Sequence, residues 1–173
     1  AWTAKTRTSF PDDPWQAWRT FEVRPLVEPR PERRTWRGRV SAETTTLPPV
    51  FLVTGSRTYP DLALVRRWAA ALSPNAVLIA GGARGVDTAA EEGFLENHPV
   101  VQLLRMPAEW DRYGRSAGPK RNQDMVSLAL DYRRRGHPVE AHAFPIRVGS
   151  RGTADCMRRI EIALLPLTVT WRD

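Results

Sequence analysis

The chain has 173 residues, a formal net charge of +7 and a single cysteine, Cys156. This length allows one domain of ordinary size with an appendage, and one cysteine excludes an internal disulfide framework, which favours a reducing cytosol. No apolar run is long enough to cross a membrane and the first residues lack the apolar core of a signal peptide, so we expect a cytoplasmic protein without a membrane partner.

Residues 1 to 49 predict an extended N-terminal arm and linker. Seven prolines interrupt every helical or strand period in this segment, and Arg-Pro alternation favours polyproline-like backbone. Four of the seven tryptophans also lie here, and they need a surface to bury against. A simple disordered tail is the alternative, although such tails are usually poor in aromatic residues. We expect Trp15, Trp18 and Phe21 to pack on a folded surface as a strap, and this surface could belong to the following domain, to a second subunit or to another macromolecule.

Residues 50 to 173 alternate apolar strands with amphipathic helices and are interpreted as one domain. Strands are predicted over 50–54, 77–80, 100–104, 139–144 and 166–170. Helices are predicted over 60–72, after Asp87 up to Pro99, from Pro119, and over 154–165. The alternation predicts an α/β protein with a Rossmann-like, doubly wound, five-stranded and mainly parallel sheet that has helices on both faces.

Two local predictions accompany this fold. The segment over 105–118 lacks regular periodicity and is predicted to be a functional loop. In the last helix we expect Met157, Ile160 and Leu164 to face the core and Thr153 to cap the N-terminus.

Clusters of glycine and polar residues lie at the carboxyl ends of the predicted strands or on the connections there, where parallel sheets bind ligands. Glycines let backbone N–H groups approach an anion, and a following helix adds its positive dipole end. Any one cluster has a plainer interpretation as a tight strand-to-helix turn, but the repetition favours a phosphate-binding rim. The clusters are Gly55-Ser56-Arg57, Gly81-Gly82-Ala83-Arg84-Gly85, residues 107–122, and Gly149-Ser150-Arg151-Gly152-Thr153.

Missing motifs exclude several classes of function. The chain has no Gly-x-Gly-x-x-Gly turn with an acid after the next strand and no Gly-x4-Gly-Lys-Ser/Thr, which argues against nicotinamide dehydrogenases and P-loop NTPases. His98, His137 and His142 lack ligand spacing, so no metal site is predicted, and no cofactor is implied. Cys156 falls in the first turn of the last helix, where a stabilised thiolate is possible, but a small buried core residue is favoured.

Five segments, in order along the chain, resemble the YspA-type (cpYpsA-related) branch of the SLOG superfamily. The resemblance covers residues 50 to 171 and implies a Rossmann-like fold related to the Lonely Guy phosphoribohydrolases and to DNA-processing protein A. It also implies that the rim binds nucleotides or nucleotide-derived molecules. The segments are Val53 to Arg57, Gly81 to Asp87, Trp110 to Gly114, Ala117 to Asn122, and Ser150 to Ala154.

We therefore predict a nucleotide-like ligand bound by residues of these segments. Phosphate would be held by the backbone N–H groups of Gly81, Gly82 and Gly152, by the Thr153 hydroxyl, and by Arg57 or Arg121. The full set of predicted ligand-binding residues is Gly55, Ser56, Arg57, Gly81, Gly82, Arg84, Gly85, Asp87, Trp110, Tyr113, Gly118, Arg121, Asn122, Ser150, Gly152 and Thr153.

The last turn departs from the Lonely Guy pattern. It keeps the phosphate-holding Gly-Thr, but Cys156 stands where those enzymes have a catalytic glutamate. Cleavage of an N-glycosidic bond needs a carboxylate to stabilise the transition state or to activate water. Asp87, Asp111 and Asp155 are candidate substitutes, each with a structural alternative as a cap, a loop hydrogen-bonder or a dipole partner. The sequence predicts ligand binding, as a sensor or as an N-glycosidic-bond hydrolase, and leaves catalysis open.

The alternative function is binding of single-stranded nucleic acid. The net positive charge, the tryptophans and arginines of the arm, and the resemblance to DNA-processing protein A favour it. Against it, six acidic residues offset nine basic ones in residues 1 to 49. Relatives in the superfamily commonly pair through helices on the flank of the sheet, which implies a homodimer or a higher homo-oligomer.

Overall fold

The computed structural model describes residues 47–148 and 150–172. The predictions for the arm, including the packing of Trp15, Trp18 and Phe21, lie outside these ranges. The strands are β1 (Val50–Gly55), β2 (Val77–Ala80), β3 (Leu103–Arg105), β4 (Val139–Phe144) and β5 (Leu167–Val169). The α-helices are α1 (Leu62–Ala70), α2 (Val86–Leu95), α3 (Trp110–Tyr113), α4 (Ala117–Arg134) and α5 (Arg151–Ile162).

The five strands form one sheet in the order β3-β2-β1-β4-β5, and every pairing is parallel. This confirms the predicted five-stranded doubly wound sheet. The chain runs outward from the central β1 to one edge and then returns to build the other half, beginning at β4. The direction of winding therefore changes between β1 and β4, which is where such sheets leave a crevice for a ligand.

Helices cover both faces of the sheet. On one face Val65 of α1 and Phe94 of α2 pack against the sheet, and on the other Met125 of α4 and Ile160 of α5 do so. Because β1 is buried on both faces, it alternates between the two clusters, with Val53 in the first and Leu52 in the second. Within the described ranges, no helix combines the length and apolar character that crossing a membrane requires.

The third strand begins later than predicted. Val100–Gln102 form a 3₁₀ turn that follows the extended Pro99, and the strand is limited to Leu103–Arg105. Val100 and Val101 are 68% and 80% exposed. The apolar run predicted a strand from Val100, but β3 lies at the edge of the sheet, where among the described residues it pairs with β2 alone. The first part of the run therefore lies outside the sheet.

The predicted functional loop contains regular structure. Trp110–Tyr113 form a short helix, Gly114–Ser116 form a 3₁₀ turn, and α4 begins at Ala117, two residues before Pro119. Proline is tolerated in the first turn of a helix because the amides there have no intrahelical partner, so Pro119 need not be the first helical residue.

The last helix begins earlier than predicted, and different residues face the core as a result. Ser150 rather than Thr153 occupies the N-cap position. Cys156 joins Ile160 in the core with no exposed surface, whereas Met157 is half-buried and Leu164 is 78% exposed. Leu164 has a positive φ of 52° and ends the helix by pointing outward, so the next residue, Leu165, takes the core position. The prediction for Leu164 was wrong because a periodic pattern does not show where the helix stops.

Candidate functional site

A cavity of about 660 Å³, here called the rim cavity, opens at the carboxyl end of the sheet. The end of β1, the turn before α2, the first turn of α4 and the N-terminus of α5 bound it. It therefore lies at the change of winding direction between β1 and β4. The predicted site residues that line it are Gly55, Ser56, Arg57, Asp87, Trp110, Gly118, Arg121, Asn122, Ser150, Gly152, Thr153 and the candidate Asp155.

A second cavity of about 330 Å³, here called the side cavity, shares Arg57, Trp110 and Arg121 with the rim cavity. It collects the predicted residues Gly81, Gly82 and Arg84. The two cavities thus bring together most of the predicted site, from segments that are up to about 100 residues apart in the chain.

Three predicted residues line neither of these two cavities. Gly85 has a φ of +86°, and a Cβ there would lie 2.6 Å from the Cα of Arg57, so this glycine allows two backbone segments to meet. The Tyr113 ring lies beneath cations, with Lys120 Nζ 5.3 Å from its centroid. Asp111 is exposed in α3.

Arg121 and Asp87 form the floor of the rim cavity. The Arg121 guanidinium donates to the carbonyl oxygen of Gly81, and its Nη1 lies 3.5 Å from Asp87 Oδ2. Asp87 Oδ2 also accepts a hydrogen bond from the Ala83 amide at 3.2 Å. A Cβ on Gly81 would lie 2.5 Å from Arg121 Cζ and 2.7 Å from Asp87 Oδ2. A Cβ at Gly81 would therefore force the Arg121 and Asp87 side chains to shift.

Burial raises the pKa of Asp87 to about 6, although Arg121 and backbone hydrogen bonds from Ala83 and Gly81 oppose the rise. One helical turn later, Glu91 is also buried, and burial raises its pKa against the effects of Arg105 and the Gly82 amide. The Gly81 and Gly82 amides thus already stabilise carboxylates of α2. A phosphate that uses them has to compete with these internal anions.

Glu91 and Arg105 were not predicted to belong to the site. Their side chains form an ion pair of 3.0 Å beside Gly82, and Glu91 Oε1 has no hydrogen-bond partner among residues 47–148 and 150–172. The available signal was the spacing of Glu91 four residues after Asp87, which places both acids on one face of α2. Further residues of the rim cavity were also missed, although each adjoins a predicted one: Thr54, Thr58, Ala83, Pro119 and Arg151.

Asn122 joins α4 to α5 behind the cavity. It is 3% exposed, and its Oδ1 accepts a hydrogen bond from Arg121 Nε at 3.1 Å. Its Nδ2 donates to the Gly152 carbonyl at 3.1 Å and to Asp155 Oδ2 at 2.9 Å. Arg159 Nε donates to the same Asp155 oxygen at 2.9 Å.

These contacts give Asp155 a structural role. Burial alone would raise the pKa of Asp155, but the hydrogen bonds from Arg159 and Asn122 hold it below its ordinary value. A carboxylate that stays ionised and already accepts two donors is a poor general base. The geometry therefore favours a structural role for Asp155 over a catalytic one, but this role is the pairing of α4 with α5 and not the predicted interaction with the helix dipole.

The first turn of α5 faces the rim cavity without a side-chain cap. Ser150 stands at the N-cap, but its side chain caps no amide; its hydroxyl donates instead to the Thr153 hydroxyl. The amides in the first turn have no intrahelical acceptor, so they carry the positive end of the helix dipole. Gly152 and the buried Thr153 line the cavity at this point. This end of α5 is therefore suited to bind an anion.

Cys156 lies one turn further along α5 and is fully buried. Burial raises the pKa of its thiol to about 11. We expect the native protein at pH 8 to react with a disulfide reagent such as DTNB at least 100-fold more slowly than the protein unfolded in guanidinium chloride, because the thiolate is the reactive form. Equal rates in the folded and unfolded states would contradict the burial of this thiol.

Comparison with known proteins found one relative by sequence and one by structure. The chain is 35% identical to the Gene 61 protein of Mycobacterium phage D29 over an alignment of 130 residues. The match covers 67% of this chain and 91% of that protein. DNA processing protein A from Streptococcus pneumoniae is similar in structure with a TM-score of 0.41 and 17% sequence identity. That similarity covers 70% of this chain and 58% of the other, so it spans less than two thirds of DNA processing protein A. No family model matches the chain.

Proposed function

We propose that this chain, which belongs to the family of the Gene 61 protein of Mycobacterium phage D29, binds a nucleotide or a nucleotide-derived molecule in the rim cavity. The observation that carries the proposal is the meeting of the uncapped N-terminus of α5 with Arg57 and Arg121 at one cavity. Helix amides and guanidinium groups are the usual ligands of phosphate.

The dimensions and walls of the cavity support the same ligand class. Its volume of about 660 Å³ lies in the range of small-molecule sites. Trp110 is 50% exposed and lines both the rim and side cavities, which provides a flat surface for a base. A phosphate at the first turn of α5 would contact the Gly152 amide and the Thr153 hydroxyl, with Arg121 beside it.

Gly152→Asp tests the position of the phosphate. A Cβ at Gly152 meets no heavy atom within 4 Å, so the substitution fits the fold. A carboxylate in the first turn also interacts favourably with the helix dipole, so the melting temperature should not fall. We expect Gly152→Asp to lose nucleotide affinity by at least 100-fold, measured by calorimetry with AMP, ADP-ribose and cyclic AMP, because its carboxylate repels the phosphate.

Gly152→Ala is the matched control, and it should bind like the wild-type protein. If Gly152→Asp binds nucleotides with the affinity of the wild-type protein, the phosphate does not bind at the N-terminus of α5. If none of these nucleotides shifts the melting temperature of the wild-type protein at millimolar concentration, the proposed function itself is wrong.

Binding without catalysis is the form of this function that the geometry favours. The residue in place of the Lonely Guy glutamate is a buried thiol, and Asp155 is committed to Arg159 and Asn122. Asp87 is the carboxylate left at the cavity floor. Incubation with nucleoside monophosphates, followed by chromatography, distinguishes binding alone from hydrolysis. If the wild-type protein releases free base and Asp87→Asn does not, the protein is a hydrolase that uses the Asp87 carboxylate.

Single-stranded nucleic acid is the second candidate ligand. The observation that favours it is that four arginines, Arg57, Arg84, Arg121 and Arg151, line the two cavities, in a chain of net charge +7. Binding through phosphates would weaken steeply with salt. Gel shifts with a single-stranded oligonucleotide, for the full chain and for a form starting at Thr44, would show whether such binding exists and whether the arm contributes.

A further inference from the structure

A third cavity, of about 490 Å³, adjoins the rim cavity and shares Ser150 and Arg151 with it. We call it the tryptophan groove because Trp171 forms one of its walls. It meets the predicted site at Ser150 and extends from there to residues that the sequence did not predict to bind a ligand, Trp171 among them. Its remaining lining residues are Pro145, Ile146, Arg147, Ala154, Met157, Arg158 and Glu161.

Trp171 is held in place although half of it is exposed. The Thr170 amide donates to the Ala143 carbonyl at 2.9 Å, and the Arg172 amide donates to the Pro145 carbonyl at 3.4 Å. Arg172 also forms a parallel bridge with Ile146. Both neighbours of Trp171 are therefore fixed to the end of β4, while the Trp171 side chain remains 51% exposed. An exposed aromatic ring on a fixed backbone is suited to stack a planar ligand group.

The groove also carries the positive charges of Arg151 and Arg158. Arg151 and Arg158 are seven residues apart on α5, so they lie on the same face of the helix. Both are exposed, and within the described ranges neither guanidinium makes a hydrogen bond or an ion pair. Among the described residues that line the groove, the one acid is Glu161, which is also exposed. The charge of the groove therefore favours an anion beside the tryptophan.

We propose that the tryptophan groove binds a second nucleotide unit, covalently linked to the one in the rim cavity. Trp171 would stack on the second base, Arg151 and Arg158 would bind the linking phosphate, and Met157 would contact the sugar. The inference rests on the proposed function of the rim cavity and narrows its ligand to the class of di- or oligonucleotides. A stacked base and a phosphate bound by arginine are how proteins hold single-stranded nucleotides regardless of sequence.

The test compares AMP, the linear dinucleotide pApA and a single-stranded dodecamer of adenylate by calorimetry. In the wild-type protein pApA should bind about tenfold or more tightly than AMP, because each stacked base strengthens binding. Trp171→Ala should abolish this gain and leave the affinity for AMP unchanged. Trp171→Phe should keep most of the gain, since phenylalanine still stacks, and Arg158→Gln should reduce both the gain and its dependence on salt.

The outcomes separate this inference from the proposed function. If AMP binds but pApA binds no more tightly, or if Trp171→Ala keeps the gain, the inference is overturned and the rim site stands. If no nucleotide binds, both fail. If the dodecamer binds more tightly than pApA in a manner that needs Trp171, the ligand is a nucleic-acid strand; equal affinity for the two indicates a dinucleotide.

Discussion

Asp87→Asn is expected to raise the free energy of unfolding at pH 7 by up to about 3 kcal/mol and to reduce the loss of stability between pH 4 and pH 7. Burial raises the pKa of Asp87 from 3.8 to about 6 in the folded protein. The folded state therefore holds this proton more tightly than the unfolded state does. The resulting stabilisation is present in full below about pH 4 and is lost as the pH rises through about 6.

At pH 7 the wild-type protein has to keep the Asp87 carboxylate ionised in a site where 6% of the side chain is exposed. Asparagine is neutral at every pH, and its carbonyl oxygen can still accept the hydrogen bond from Ala83. Urea unfolding at pH 4.5 and 7.5 measures the effect. Asp111→Asn, at an exposed position of α3, should leave the wild-type pH dependence unchanged. An equal difference between wild type and Asp87→Asn at both pH values would mean that burial does not perturb this carboxyl.

Gly93→Ala is expected to destabilise the protein by about 3 kcal/mol, although alanine favours helices over glycine by about 1 kcal/mol. Gly93 lies where α2 crosses α1. A Cβ there would lie 2.7 Å from the Cα of Arg66 and 2.8 Å from its carbonyl carbon. Since these are backbone atoms, the clash cannot be relieved by a change of side-chain rotamer. The two helices have to move apart, and the packing around Phe94 is disrupted.

Gly152→Ala is the matched control, because it makes the same substitution at a helical glycine that faces open space. It should be neutral or stabilising by up to about 1 kcal/mol. Urea unfolding of the wild-type protein, Gly93→Ala and Gly152→Ala measures the two changes in stability. Equal stability of Gly93→Ala and Gly152→Ala would show that α1 and α2 are not in backbone contact at this point.

The fold was predictable because its signals are local. The strands β1 and β2 are short apolar runs between turn residues, and the alternation of strands with helices indicates parallel connections. The pattern failed at Val100 and at Leu164, which are apolar but exposed. At both positions the exposure of the side chain depends on where a strand or a helix begins or ends. The periodicity of apolar residues does not indicate these boundaries.

The site was predictable as a set of segments but not as a set of contacts. Glycine-rich turns mark the ends of the strands, so most residues around the rim could be named. Gly81 is in contact with Arg121, which is 40 residues away, and Asn122 is in contact with Asp155, which is 33 residues away. The tryptophan groove depends on the bridge between Ile146 and Arg172, which no local pattern indicates.

Asn122 has a mechanical consequence for how a ligand enters. Its amide group fastens α4 to the beginning of α5 and also holds Arg121, so these parts of the rim form one stiff wall. Trp110 lies beside the first turn of α4, on a helix of four residues, and half of its surface is exposed. When the rim cavity opens to admit a ligand, we therefore expect the short helix that bears Trp110 to move, while α4 and α5 keep their positions relative to each other.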